Sequence, residues 1–289
     1  MQPGAVRALV VVIALGTVTA AAQPRSAPDV SAILMRVGER VQEYYARALS
    51  VICLERVSLR QLSADLTSDG SFVRRLVFEL RIGWQPPASG SGPPEAIVLR
   101  QIVTIDGRPP RPKDKPGCMD PKSVSPEPLA MLLPDHQHEY AFRWAGSTRM
   151  NGRAVAMLDY RAQATAPAEV RWRDDCVSIE LPGQSRGRVW ADPATGDVFR
   201  LDESLAGTFE FRVPNEYQRM GGAPTMMIER ADTSIRYRPV TFRDPDETLM
   251  LPASVETLQV IRNAGAPRVR KTQVFSDYRR FVTDGRVLE

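Results

Sequence analysis

From Val51 onward the chain is a succession of alternating apolar and polar runs separated by tight-turn residues, and this confines it to antiparallel sheet. Asp69-Gly70, Asn151-Gly152 and Pro193-Ala194-Thr195-Gly196 each stand between two such runs. They supply the positive or preset φ that short hairpin connections need. Runs such as ICLERVSLRQL, SFVRRLVFELRIGW, YAFRWAGSTRM and RAVAMLDYRAQ predict roughly ten to twelve strands in all.

One segment breaks this pattern. Between about residues 29 and 50, Ile33, Leu34, Val37, Val41, Tyr44, Tyr45, Ala48 and Leu49 recur at three- and four-residue steps. Pro28 precedes the segment, and Asp29 or Ser31 can cap it. Arg36, Glu39, Arg40, Glu43 and Arg47 fill the opposite side. This predicts one amphipathic helix whose wide apolar stripe must be buried. A single helix does not cover a flat sheet of this size, so the sheet is expected to curl around it. The expected class is α+β, mostly antiparallel β: a strongly curved open sheet, a half-barrel packed around an N-terminal helix.

The first residues read as an export signal. Arg7 provides a basic start, Ala8 to Val18 an apolar core too short to span a bilayer, and Ala20 and Ala22 the small residues of a cleavage site. Cleavage after Ala22 takes 22 residues from 289 and leaves about 267. The first cysteine is Cys53, so no lipid-bearing cysteine lies at the cleavage point. No later stretch reads as a membrane helix. The expectation is a periplasmic or secreted protein with residues 1–22 as signal and 23–289 as one domain. Losing Arg7 from 38 basic residues leaves 37 against 34 acidic ones. The pI of 9.1 therefore hides a near balance, and dispersed basic residues in an exported chain argue against nucleic acid.

An oxidising compartment allows one disulfide among three cysteines. Cys118 in a loop and Cys176 at a strand edge are the favoured pair, against three free thiols or another pairing. Cys53 reads as a buried free thiol. The segment of about residues 106–128 is a basic, Pro-rich insertion. It is read as a solvated connection pinned by Cys118, with a functional loop as the other reading.

Gly183-Gln184-Ser185-Arg186-Gly187 has the G-x-S-x-G spacing of a hydrolase elbow. An elbow needs a helix after the serine. Here GRVWADPATGDVFRL follows, which is a hairpin, and the only histidines, His136 and His138, precede Ser185. Asp135-His136-Gln137-His138-Glu139 is the one candidate metal cluster, since a strand would point both histidines the same way. The alternative is an exposed polar loop. Asp174-Asp175 and Asp244 to Glu247 lack the full ligand spacing of calcium loops. No catalytic residue, cofactor or metal ligand is assigned; a hydrolase or metal-dependent enzyme stays a remote alternative.

Met226 and Met227, in MGGAPTMMI, suit a pliable apolar surface, or else core packing at a strand end. Trp84, Trp144, Trp190 and Phe199 lie in strands and either fill the core or line a cavity. Trp190 and Phe199 are expected to pair across the PATG turn. A two-residue Asn151-Gly152 turn would place Trp144 opposite Asp159 and mix apolar with charged side chains; a bulge, or a sheet wetted on one face, would resolve this.

GRVWADPATGDVFRLDES, LMLPASVE, FSDYRRF and SVICLERVSLR together resemble a group of uncharacterised secreted bacterial proteins. The hairpin with its D-P-x-T-G turn also resembles the periplasmic lipoprotein-carrier class, LolA-like and RseB-like. That resemblance implies an open curved sheet with helices on its concave side, and binding of lipid, acyl chains or lipoproteins without catalytic residues. The expected function is a non-enzymatic exported protein holding an apolar ligand. The cavity candidates are Val37, Val41, Tyr44, Trp84, Trp144, Trp190, Phe199, Met226 and Met227. The partners expected are a lipid or lipoprotein, or, as the alternative, an envelope protein read by an interaction or stress-sensing module.

Overall fold

The computed structural model describes residues 28–47, 51–85, 95–114, 117–121, 129–173, 176–218, 223–243 and 246–280. The expected signal peptide, the helix end at Ala48 to Ser50, residues 115–116 and 122–128 of the Pro-rich insertion, Asp174-Asp175 and the Met220-Gly221-Gly222 stretch lie outside these residues.

Helix α1 spans Val30–Arg47. Asp29 caps it, its Oδ1 accepting from the Ser31 and Ala32 amides at 2.9 and 3.3 Å. Thirteen strands follow: β1 (Val51–Leu62), β2 (Ser68–Gln85), β3 (Glu95–Ile105), β4 (Tyr140–Met150), β5 (Arg153–Ala162), β6 (Glu169–Arg173), β7 (Cys176–Glu180), β8 (Ser185–Ala191), β9 (Val198–Leu205), β10 (Phe209–Arg212), β11 (Thr225–Arg243), β12 (Asp246–Arg262) and β13 (Arg268–Arg280). β6 and β7 form a separate hairpin. The others make an 11-stranded antiparallel sheet in the order β3-β2-β1-β13-β12-β11-β9-β8-β5-β4, with β10 on β11. The edges β3 and β4 do not meet, so the sheet is curved and open rather than a barrel. The fold class read from the sequence is the one observed.

The registers explain how one sheet serves two environments. Trp144, Leu158, Val189, Leu201, Ile235, Val255, Gln273, Val57, Leu76 and Ile105 are paired in turn, strand to strand, from one edge to the other. Cross-strand partners share a face, so this apolar row defines the inner face. One residue along each strand, Arg143, Asp159, Arg188, Asp202, Ser234, Glu256, Thr272, Ser58 and Arg75 form a parallel row on the outer face. Along Arg143, Asp159, Arg188 and Asp202 the charge alternates, so each of these four ions has a neighbour of opposite sign. Bulges in most strand pairs add bend and twist to the sheet.

α1 lies on the inner face. Ile33, Leu34, Val37, Val41 and Tyr45 pack against Leu158, Tyr160, Val189, Leu201, Ile235 and Tyr237, with Leu129, Met131, Leu132 and Leu133 beside them. Its charged side is also anchored: Arg36 donates to the Pro193 carbonyl at 2.8 Å and Arg40 to Asp197 at 2.8 Å. The turn between β8 and β9 thus holds the helix. A second core, under the other half of the sheet, joins Val57, Leu59, Leu76, Phe78, Ile105 and Val269.

Two local expectations are corrected, and of the two resolutions offered for the Trp144 register the structure shows the bulge. The turn between β1 and β2 lies at residues 63–67 rather than at Asp69-Gly70, because Asp65 collects the Ser63 hydroxyl and the Thr67 amide and hydroxyl; Gly70 is absorbed into β2. Trp190 pairs with Arg200, not Phe199, because a bulge follows it and Ala191 pairs with Val198. Trp144 pairs with Leu158 and Arg143 with Asp159, through a bulge before Gly146, although Asn151 and Gly152 form the expected turn with φ of 51° and 79°.

Candidate functional site

The concave face has two roofs. α1 and the 129–133 segment cover one end. A space of about 20 Å³ lies between α1 and the sheet, lined by Val41, Tyr44, Leu129, Val198 and Tyr237 among others. That is the room of a single water, and the apolar stripe of α1 is buried in one cluster with the sheet and the 129–133 segment. Val37 and Val41 are core residues here, Tyr44 is half-buried at its border, and Trp144 and Phe199 are half-buried and buried.

The second roof is the β6–β7 hairpin. Val170 pairs with Ile179 and Trp172 with Val177, which gives the hairpin one apolar face. All four are half-buried rather than buried. Trp172 stacks on Tyr217 at 4.9 Å between ring centroids and lies 6.3 Å from Phe211. Phe211 in turn stacks beside Phe209 at 6.0 Å. In the register Phe211 faces Met226 and Phe209 faces Ile228, whose other partner is Ile261. Aromatic and thioether side chains therefore meet between hairpin and sheet, and Phe209, Tyr217 and Met226 keep part of their surface open.

The hairpin is fastened from the far edge. Cys176, at the start of β7, is bonded to Cys118 in the loop after β3. Met119 packs on the second core. Asp120 takes two hydrogen bonds from Arg74 of β2, at 2.7 and 2.9 Å, and one from the Gly117 amide at 2.8 Å. This charge-assisted fork fixes the loop on the sheet, and the disulfide carries that fixation to the hairpin. Cys53 is the free cysteine among the described residues, and burial pushes its thiol up to about 12.

Between the roofs runs a polar strip. Tyr160, Gly187, Glu203, Thr233, Thr257, Lys271, Leu59 and Arg74 form the inner row adjacent to the apolar one. Glu203 is crowded by the concave wall yet open to solvent; that crowding pushes its carboxyl up, opposed by the Tyr160 hydroxyl, which donates to it at 3.2 Å. Burial lowers the Lys271 ammonium, with Glu55 acting against the shift.

The G-x-S-x-G match has a structural cause. Gly183 has a φ of +72°, and a Cβ there would fall 1.8 Å from the Ala164 carbonyl oxygen. A Cβ on Gly187 would fall 1.9 Å from the Asp202 carbonyl oxygen and 2.7 Å from the Tyr160 hydroxyl. Ser185 opens a strand, not a helix. His136 and His138 sit on a short 3₁₀ turn rather than a strand, with His136 Nδ1 2.7 Å from Glu139. Among the described residues no three His, Cys, Asp or Glu side chains converge.

Of the other candidates, Met226 joins the aromatic cluster, whereas Met227 is paired with Glu210 and Arg262 and so falls on the opposite face, because side chains alternate along the strand. Trp190 turns to the outer face, where Arg200 lies 4.6 Å over its ring. Trp84 is on β2 with its side chain outside the described residues. Sequence reasoning missed Trp172, Phe211 and Tyr217. The alternation in EVRWR and CVSIE was the available signal, but it does not say where a short hairpin docks.

No protein-family model matches the chain. No curated protein matches it either. Among solved structures it is similar to a LolA superfamily protein from Nitrosomonas europaea, at 10% identity and a TM-score of 0.34, over 89% of this chain and 97% of that one. It is similar to a DUF1329 family protein from Desulfovibrio piger, at 10% identity and a TM-score of 0.41, over 88% and 93%. A putative outer membrane lipoprotein-sorting protein domain from Vibrio parahaemolyticus gives 12% identity and a TM-score of 0.35, over 89% and 95%. Among the described residues no helix is long and apolar enough to cross a membrane.

Proposed function

We propose that this is an exported, non-enzymatic protein that binds an apolar ligand, a lipid, an acyl chain or a lipoprotein's acyl part, on the concave face of its sheet. The observation that carries the reading is the half-buried apolar face of the β6–β7 hairpin, held over Phe211, Tyr217 and Met226. A hairpin used only as a lid would bury that face fully. Rigid aromatics with pliable methionines suit an apolar guest, and the polar strip supplies the few groups that orient it. In this reading α1 is scaffold and the binding end lies under the disulfide-fastened hairpin. In this reading residues 1–22 are an export signal, and the protein works in the periplasm or outside the cell.

The test is native mass spectrometry of the mature chain, exported and purified without detergent, followed by organic extraction. Discrete added mass that leaves with solvent is expected, and it should be lost in Trp172→Asp with the fold retained by circular dichroism. A mass equal to the polypeptide alone would refute the reading.

A second reading, an interaction module for envelope proteins, is favoured by the edge strand β3. Leu99 and Val103 are 63% and 44% exposed there, and an edge strand can accept a partner's strand. The same spectrum separates the two, since a bound polypeptide would replace the extractable mass and disappear in Val103→Lys.

A further inference from the structure

The outer face of β4, β5, β8 and β9 is hollowed into an open groove of about 760 Å³. Most of its charges are matched. Arg188 donates to Asp159 at 2.6 Å, Arg143 reaches the same carboxylate at 3.4 Å, and Asp202 holds Arg200 and Ser234. The next cross-strand row is different. It reads Ala141, Arg161, Arg186, Ser204, so two arginines stand directly opposite each other on β5 and β8. Among the described residues neither guanidinium has a carboxylate within ion-pair distance. Like charges in that position weaken a sheet, and both guanidinium groups are exposed and free to take an anion from solvent. The short side chains of Ala141 and Ser204 on either side leave the space above them open.

We propose that Arg161, Arg186 and Ser204 form an oxyanion site that takes the phosphate group of a small, water-soluble phosphate ester. Two planar guanidinium forks can each give a tetrahedral oxyanion paired hydrogen bonds, and a dianion balances the two charges that the sheet leaves unmatched. The Ser204 hydroxyl adds a donor. The groove has the volume of a small-molecule site. Its lining carries six charged side chains and Ser204 beside Ala141, Tyr160, Gly187 and Trp190, whose ring is covered by Arg200. Ions at that density are costly to desolvate under an acyl chain, so the rest of the ligand is a small hydrophilic body. This site lies on the face opposite the proposed apolar one and stands or falls separately from it.

The experiment is isothermal titration calorimetry of the mature chain at low ionic strength with glycerol 3-phosphate, inorganic phosphate, and vesicles containing phosphatidylglycerol. Saturable one-to-one binding of the ester is expected, with inorganic phosphate weaker. Arg186→Glu should weaken it at least ~10-fold by replacing one fork with a carboxylate. The same change gives Arg161 an opposite-charge neighbour, so the melting temperature should hold or rise, which separates lost binding from lost fold. No saturable heat, heat unchanged in both Arg161→Ala and Arg186→Glu, binding of inorganic phosphate alone, or binding to vesicles alone would each overturn the proposal.

Discussion

Arg100 on β3 donates to the Glu55 carboxylate on β1 across β2, at 2.7 Å, and Glu55 is wholly buried. Gln273 of β13 donates to the other carboxylate oxygen at 2.5 Å. The pair lies on the inner face between Phe78 and Phe275, which flank Glu55 in the register. Removing one partner leaves the other charged and dry. Glu55→Ala should therefore cost about 3–5 kcal/mol, measured by urea unfolding. Replacing both partners with apolar residues of similar volume should recover most of that loss; an equal loss in the double variant would show that the pair does more than satisfy itself.

Gly187→Ala puts a methyl group against the Asp202 carbonyl and the Tyr160 ring. A cost of roughly 2–3 kcal/mol is expected from overpacking, visible as a lower melting temperature. Gly152→Ala, with open space around its Cβ position, meets only the penalty of a positive φ and should cost less.

Reduction of Cys118–Cys176 frees a crosslink between residues 58 apart. The loop-closure estimate is about 4 kcal/mol, read as the shift in urea midpoint on adding dithiothreitol. Cys53 should stay unmodified by iodoacetamide at pH 8 in the native oxidised protein, because its thiol is raised to about 12 by burial. Labelling should follow unfolding and no earlier.

Acid should find Asp159. Hydrogen bonds from Arg188, then Arg143, hold its carboxyl below the usual range. A depressed folded-state value means the stabilisation is fully present above the unfolded value, near about 3.9, and is lost as pH falls through the lower folded one. Asp159→Asn should thus lower the melting temperature at pH 7, and the gap from the parent chain should close below about pH 4. A gap constant from pH 7 to pH 3 would contradict the assignment.

The fate of particular residues separates what could be read early from what could not. The helix stripe from Ile33 to Tyr45 was legible because a period of 3.6 needs no partner to be recognised. The Asn151-Gly152 turn was legible because its backbone angles are local. Register was not: a single bulge before Gly146 moves Trp144 from Asp159 to Leu158, and another turns Trp190 toward Arg200. Nor was the competition at the first hairpin, where Asp65 closes the turn ahead of Asp69-Gly70.

The sequence by itself determined the antiparallel class, the single helix and the two-faced alternation of every long strand, since each follows from residues a few positions apart. Only the tertiary structure decided which strands are neighbours, that the α1 stripe is buried against the inner face of β5, β8, β9 and β11, and that Trp172 closes over Phe211 and Tyr217 at the other end. It also set Arg161 against Arg186. These are contacts between residues far apart in the chain. Their geometry depends on the summed bends and registers of eleven strands, which no short stretch of sequence encodes.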